Sequence, residues 1–212
     1  MDNFEKKIKI SYINFISSNN QRPNSLKALS KSDDSLEYEE LIKSFSSVEQ
    51  IETDIWISAL ENAYSNASSD PNFKEYMIRE RILSFFYNWI EVLKKDQDFY
   101  KYSTNIHSIF EFKSIDDRRI KVKKAFDIIF TPMLEEGFET GEIESRMFVS
   151  DYYIDFIFAQ AVIITKYWSN DTSEDTENTD EAIEKSVNLV MDLIGPNFTD
   201  SAFLLGKFLL QK

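Results

Sequence analysis

Glycine and proline number only four each among 212 residues, and that scarcity constrains the fold more than any other feature. Sheet proteins reverse direction often, using Gly where φ is positive and Pro where φ is fixed. A chain this poor in both, with long charged and apolar stretches between them, builds long helices. Hydrophobic residues at 42% and aromatics at 15% supply a substantial core. The length allows one large domain or a small one joined to a larger.

The absence of cysteine excludes disulfides, thiolate metal sites and a cysteine nucleophile. It fits a reducing cytoplasm, the expected location. MDNFEKKIKISYINF is charged from the start and carries no signal-peptide core. No run reaches the about 20 apolar residues of a membrane span. The nearest, residues 152–168, contains Asp155, Gln160 and Lys166 and reads as a buried helix. A net charge of −13 disfavours broad nucleic-acid affinity while allowing a local basic surface.

Apolar spacing predicts a first helix over 4–18, with Ile8, Tyr12, Phe15 and Ile16 on one face. After the SSNNQRPNS loop, short helices over 25–31 and 36–44 follow, the second turning Leu36, Leu41 and Ile42 inward. Ser47, with Glu49 and Gln50, caps a fourth helix running to about residue 66. A single long helix is predicted over 72–95 and a short one over 106–112. The next starts near 116 and bends or stops at Pro132, leaving 135–146 as loop or irregular helix. An apolar helix over 148–169 precedes SNDTSEDTENTDE, read as a mobile acidic loop, and two last helices over 180–194 and 198–211. The fold class is all-α, with about nine or ten helices.

Two short helices around a turn, then FSSVEQI (Phe45 to Ile51) leading a longer helix, resemble the TetR family of bacterial regulators. Phe45, Ser47, Glu49 and Ile51 match that family's F-x-S-K-E-x-L run, and Ser25, Leu26 and Leu29 match the start of its second helix. Val48 stands where the family has lysine, and Ile42 where it often has a phosphate-binding tyrosine. The resemblance covers about residues 4–55. It implies an N-terminal three-helix helix-turn-helix domain over 1–47, and a larger helical ligand-binding and dimerisation domain over 48–212. The implied function is a ligand-responsive transcriptional repressor binding operator DNA as a homodimer.

Charge complicates that implication. Through residue 50, Lys6, Lys7, Lys9, Arg22, Lys27, Lys31 and Lys43 face Asp2, Glu5, Asp33, Asp34, Glu37, Glu39, Glu40 and Glu49. A net negative head opposes the phosphate neutralisation that supplies most non-specific affinity. Carboxylates opening a recognition helix can nonetheless accept from cytosine N4. The polar candidates for DNA contact are Ser25, Lys27, Lys31, Tyr38, Lys43 and Ser46. The alternative is a hydrophobe- or lipid-binding helical protein whose helix-turn-helix is vestigial; a third is an adaptor binding a basic protein through this acidic face.

Catalytic signals are scarce, and no enzyme, cofactor or metal site is expected. His107, the sole histidine, reads as a packed or capping residue. Glu135, Glu136, Glu139, Glu142 and Glu144 lack the ExxH pairing of helical di-iron sites, and no phosphate-binding glycine loop is present. The resemblance implies a pocket for a small hydrophobic or amphipathic ligand, for which Phe86, Trp89, Phe126, Phe130, Tyr152 and Phe156 are candidate walls. Arg79, Arg81, Gln160 and Lys166 are candidates to orient its polar head. It also implies pairing through late helices, where Ile183, Val187, Val190, Met191, Phe203, Leu204 and Phe208 form candidate dimer faces.

Overall fold

The computed structural model describes residues 3–106 and 117–196, and among these there are nine α-helices and no strand. They are α1 (Asn3–Asn19), α2 (Leu26–Ser32), α3 (Tyr38–Ser44), α4 (Val48–Ser68), α5 (Ile78–Lys95), α6 (Gln97–Ile106), α7 (Asp117–Thr140), α8 (Tyr153–Asn170) and α9 (Glu177–Ile194). None is long and apolar enough to cross a membrane. His107, the helix expected over 106–112 beyond its first residue, and the last helix over 198–211 lie outside the described residues.

Contacts group the chain into two units, Met1–Ala63 with Trp89–Ala125, and Tyr64–Asn88 with Phe126–Lys212. In the first, α1 packs on α2 and α6, and α2 on α3. Ile8, Tyr12 and Ile16 form its buried α1 stripe, joined by Leu29, Leu36, Leu41, Phe45, Ile51, Ile55 and Trp56. The Trp56 ring meets Tyr100 at 4.9 Å and Trp89 at 5.8 Å between centroids. In the second, α8 packs on α9, and Phe85, Phe86, Phe126, Phe130, Ile157, Ile183 and Val187 are fully covered.

Local chemistry sets most helix ends. α1 stops where Asn20 takes φ 48°, a left-handed conformation Asn tolerates, and its N–H donates to the Ile16 carbonyl at 2.7 Å. Ser25 Oγ accepts the Ala28 N–H at 3.1 Å and opens α2. Ser47 Oγ accepts the Gln50 N–H at 3.2 Å and opens α4.

The helix expected over 72–95 is two pieces. A 3₁₀ turn covers Phe73–Glu75, Tyr76 is extended, and α5 starts only at Ile78. Asp70 organises the break by accepting the Asn72 N–H at 2.9 Å and the Tyr76 hydroxyl at 2.8 Å. Met77, in that break, is exposed.

Neither Pro132 nor Gly137 ends α7, which runs to Thr140. Pro132 and Ile128, whose carbonyl loses its donor, both stand on the exposed side, where water replaces the lost bond. Gly137 serves close packing, since a Cβ there would lie 2.5 Å from Ile143 Cδ1. The helix ends at Gly141, whose φ of 77° is the left-handed terminator.

The acidic stretch is also more ordered than a mobile loop. Asp171 Oδ2 accepts the Thr179 N–H at 2.9 Å and its hydroxyl at 2.6 Å, while Oδ1 accepts from the Ser173 N–H and hydroxyl. Asp171 thereby satisfies an orphan amide in the first turn of α9, which begins at Glu177 rather than 180.

Candidate functional site

In the first unit an open groove of about 440 Å³ runs between the start of α2, the outer face of α3 and the start of α4. Ser25, Lys27, Tyr38 and Ser46 all line it, with Ile42 between them. Lys31 and Lys43 are exposed on the same short helices but do not line it. Helix-turn-helix proteins present the second helix of such a pair to the major groove. Ile42 was expected inward and is instead 46% exposed. The seven-residue α3 buries only Leu41, leaving the neighbouring position on the water side.

The carboxylates divide into two groups. Asp33 is held in the turn between α2 and α3, accepting from the Ser35 N–H at 2.9 Å and from the Ser11 and Ser35 hydroxyls. Those bonds hold its carboxyl below the usual aspartate range. Asp34, Glu37, Glu39 and Glu40 remain exposed, so the exposed negative charge runs from the turn into the first turn of α3. Ser46 directs its N–H and its hydroxyl to Gln50 Oε1, both at 2.8 Å. Val48 is buried, and packing alone accounts for an apolar residue there.

The aromatics proposed as pocket walls meet different fates. Phe126 and Phe130 stack at 4.1 Å, Phe85 meets the Phe130 ring edge-on at 4.8 Å, and Phe158 meets Phe126 at 5.2 Å. Phe86 touches Phe85, whereas Trp89 belongs to the first unit's core against Trp56. Phe156 is half-buried and Tyr152 exposed. The proposed head-group residues already have partners. Arg81 makes a two-pronged pair with Glu136 at 2.5 and 2.9 Å, Arg79 binds Asn188 and Asp192, and Gln160 Nε2 donates to Ser186. Lys166 is exposed. A groove of about 740 Å³ in this unit is lined instead by Met77, Arg79, Thr140, Glu142 and Met191 among others, a set the aromatic count could not reveal.

Among the dimer candidates, Ile183, Val187 and Met191 are buried inside the chain, on the face of α9 that meets α8. Val190 is half-buried, and Phe203, Leu204 and Phe208 lie outside the described residues. Other apolar residues of these two helices stay open: Ile163 and Tyr167 follow helical spacing on α8 with the half-buried Phe156, Ile163 being 59% exposed, and Leu189 on α9 is 69% exposed. Among the described residues no group of His, Asp and Glu could hold a metal ion.

The described residues are all-helical, with a short-helix pair ahead of longer helices, and the comparisons give that architecture a family. The description "Tetracyclin repressor-like, C-terminal domain" matches residues 81–209, and the chain belongs to that TetR family. Two solved structures share the fold. The fatty acid degradation regulator FadR from Bacillus halodurans superposes with a TM-score of 0.64 at 13% identity, over 90% of this chain and 96% of that one. A tetR-family regulatory protein from Rhodococcus RHA1 gives 0.55 at 11% identity, over 92% and 98%. No curated protein sequence matches significantly.

Proposed function

We propose that this chain is a cytoplasmic, ligand-responsive transcriptional repressor that binds operator DNA as a homodimer, without catalytic activity of its own. The observation that carries the reading is the groove where Ser25, Lys27, Tyr38 and Ser46 converge beside the exposed face of α3. Residues 1–47 form the DNA-binding segment in this reading, and residues 48–212 the ligand and dimerisation segment. Two copies pair through the surface of Phe156, Ile163, Tyr167 and Leu189, and a small hydrophobic or amphipathic ligand changes the separation of the two α3 helices. The FadR likeness makes a fatty acyl chain the first ligand to test.

The second reading, a hydrophobe carrier with a vestigial helix-turn-helix, is favoured by the exposed Glu37, Glu39, Glu40 and Ile42. Mobility shift against the gene's own upstream DNA at low and moderate salt separates the two. Specific retardation, weakened and with a flatter salt slope in Lys27→Ala and Lys43→Ala, supports the repressor. A folded dimer that retards no DNA at low salt sinks it.

A further inference from the structure

Glu52, on α4, has no solvent exposure at all. A carboxylate so placed persists only where charge and hydrogen bonds replace water. The Tyr12 hydroxyl of α1 donates to its Oε2 at 3.0 Å, and the Arg22 guanidinium, from the loop between α1 and α2, donates to the same oxygen. The Ser103 hydroxyl of α6 donates to Oε1 at 2.5 Å and itself accepts the Trp56 indole N–H at 2.9 Å. A parallel link runs from the Arg22 backbone N–H to the Tyr102 hydroxyl, at 3.0 Å. One carboxylate thus joins α1, the α1–α2 loop, α4 and α6, all within the first contact unit.

Burying such a pair is a poor route to stability, since apolar packing often does as well; its better-attested use is to fix one arrangement among several. The arrangement fixed here is that of the loop. Arg22 precedes Pro23 and Asn24, and Ser25 then caps α2. Tyr102 of α6 therefore holds the segment that feeds into the groove directly, and Ser103 holds it through Glu52. Arg22 Nε is buried with no hydrogen-bond acceptor, and the guanidinium is held by Glu52 and, at 3.7 Å, by Glu49, both on α4.

We propose that Glu52 is a positioning residue, through which the placement of α6 sets the α1–α2 loop and with it the presentation of Ser25, Lys27 and Tyr38. The consequence for DNA rests on the repressor reading; the positioning itself does not. The test uses the full chain, with hydrogen exchange read by mass spectrometry and affinity measured for an operator selected by the wild type from random duplexes. Tyr102→Phe with Ser103→Ala removes the two α6 bonds and spares the Arg22–Glu52 pair; Glu52→Gln removes the charge of that pair. The expected result in both is at least tenfold faster exchange over residues 22–32, with α9 amides unchanged, and at least fivefold weaker operator binding. Unchanged exchange over 22–32 overturns the proposal. So does faster exchange that α9 shares, which marks general destabilisation, and so does local quickening with wild-type affinity. Should the wild type bind no DNA, the repressor reading fails and the exchange pattern alone decides the positioning role.

Discussion

Asp171 shows how one side chain can organise an apparently featureless acidic segment. Burial alone would push its carboxyl up, but hydrogen bonds from Thr179 and Ser173, side chain and backbone, together hold it down at about 2. With the folded-state value below the ordinary 3.8, the stabilisation is fully present above about pH 4 and is lost as pH falls towards 2. Asp171→Ala should cost about 1–2 kcal/mol in urea unfolding at pH 7, as other lost helix caps do. The difference between wild type and Asp171→Asn should hold constant above about pH 4 and shrink below it; a difference independent of acid would remove Asp171 from this role. Gly137 is a second such position. Gly137→Ala gains about 1 kcal/mol of helix propensity but drives a methyl into Ile143, and overpacking of this kind costs about 1–3 kcal/mol. A net loss is expected, relieved when Ile143→Val is added, as thermal melts of the single and double variants would show.

At the scale of elements, α3 is where the proposed DNA contact can be tested. Its exposed face combines Tyr38, Ile42 and Lys43 with Glu39 and Glu40, so neutralising those two carboxylates should strengthen DNA binding about three- to tenfold at low salt. Fluorescence anisotropy of Glu39→Gln with Glu40→Gln checks this, and unchanged or weaker binding would mean that α3 does not face the duplex. α7 carries Pro132 at an exposed interior position, where proline ordinarily costs a helix about 3 kcal/mol. Pro132→Ala should therefore stabilise the chain by about 1–3 kcal/mol in chemical denaturation, a gain that will be absent if the surrounding packing depends on the proline.

For the whole molecule, the open apolar surface on α8 and α9 is the feature that isolated helices cannot explain. Ile163 and Leu189 expose large apolar side chains; on the proposed pairing the wild type should sediment as a dimer, and replacement of both by Glu should yield a folded monomer in sedimentation velocity. A dimer surviving Ile163→Glu with Leu189→Glu would place the pairing surface elsewhere. Sequence alone does not choose between this surface and the late-helix stripe. Ile183, Val187 and Met191 form a clean apolar stripe, yet periodicity does not say whether that stripe meets its own chain or a second copy.

What the sequence determined by itself was local: helix content from scarce Gly and Pro, caps at Ser25 and Ser47, and the short-helix pair that FSSVEQI marks. These follow from backbone sterics and hydrogen bonds between near neighbours. Tertiary structure alone decided that Phe126 and Phe130 fill each other's space, that Arg81 is bound to Glu136, and that Ile42 faces water. It alone brought Tyr12, Arg22, Glu52 and Ser103 to one carboxylate. Such partners are separated by tens of residues, and helical spacing records which way a side chain points on its own helix but not which distant surface arrives to cover it.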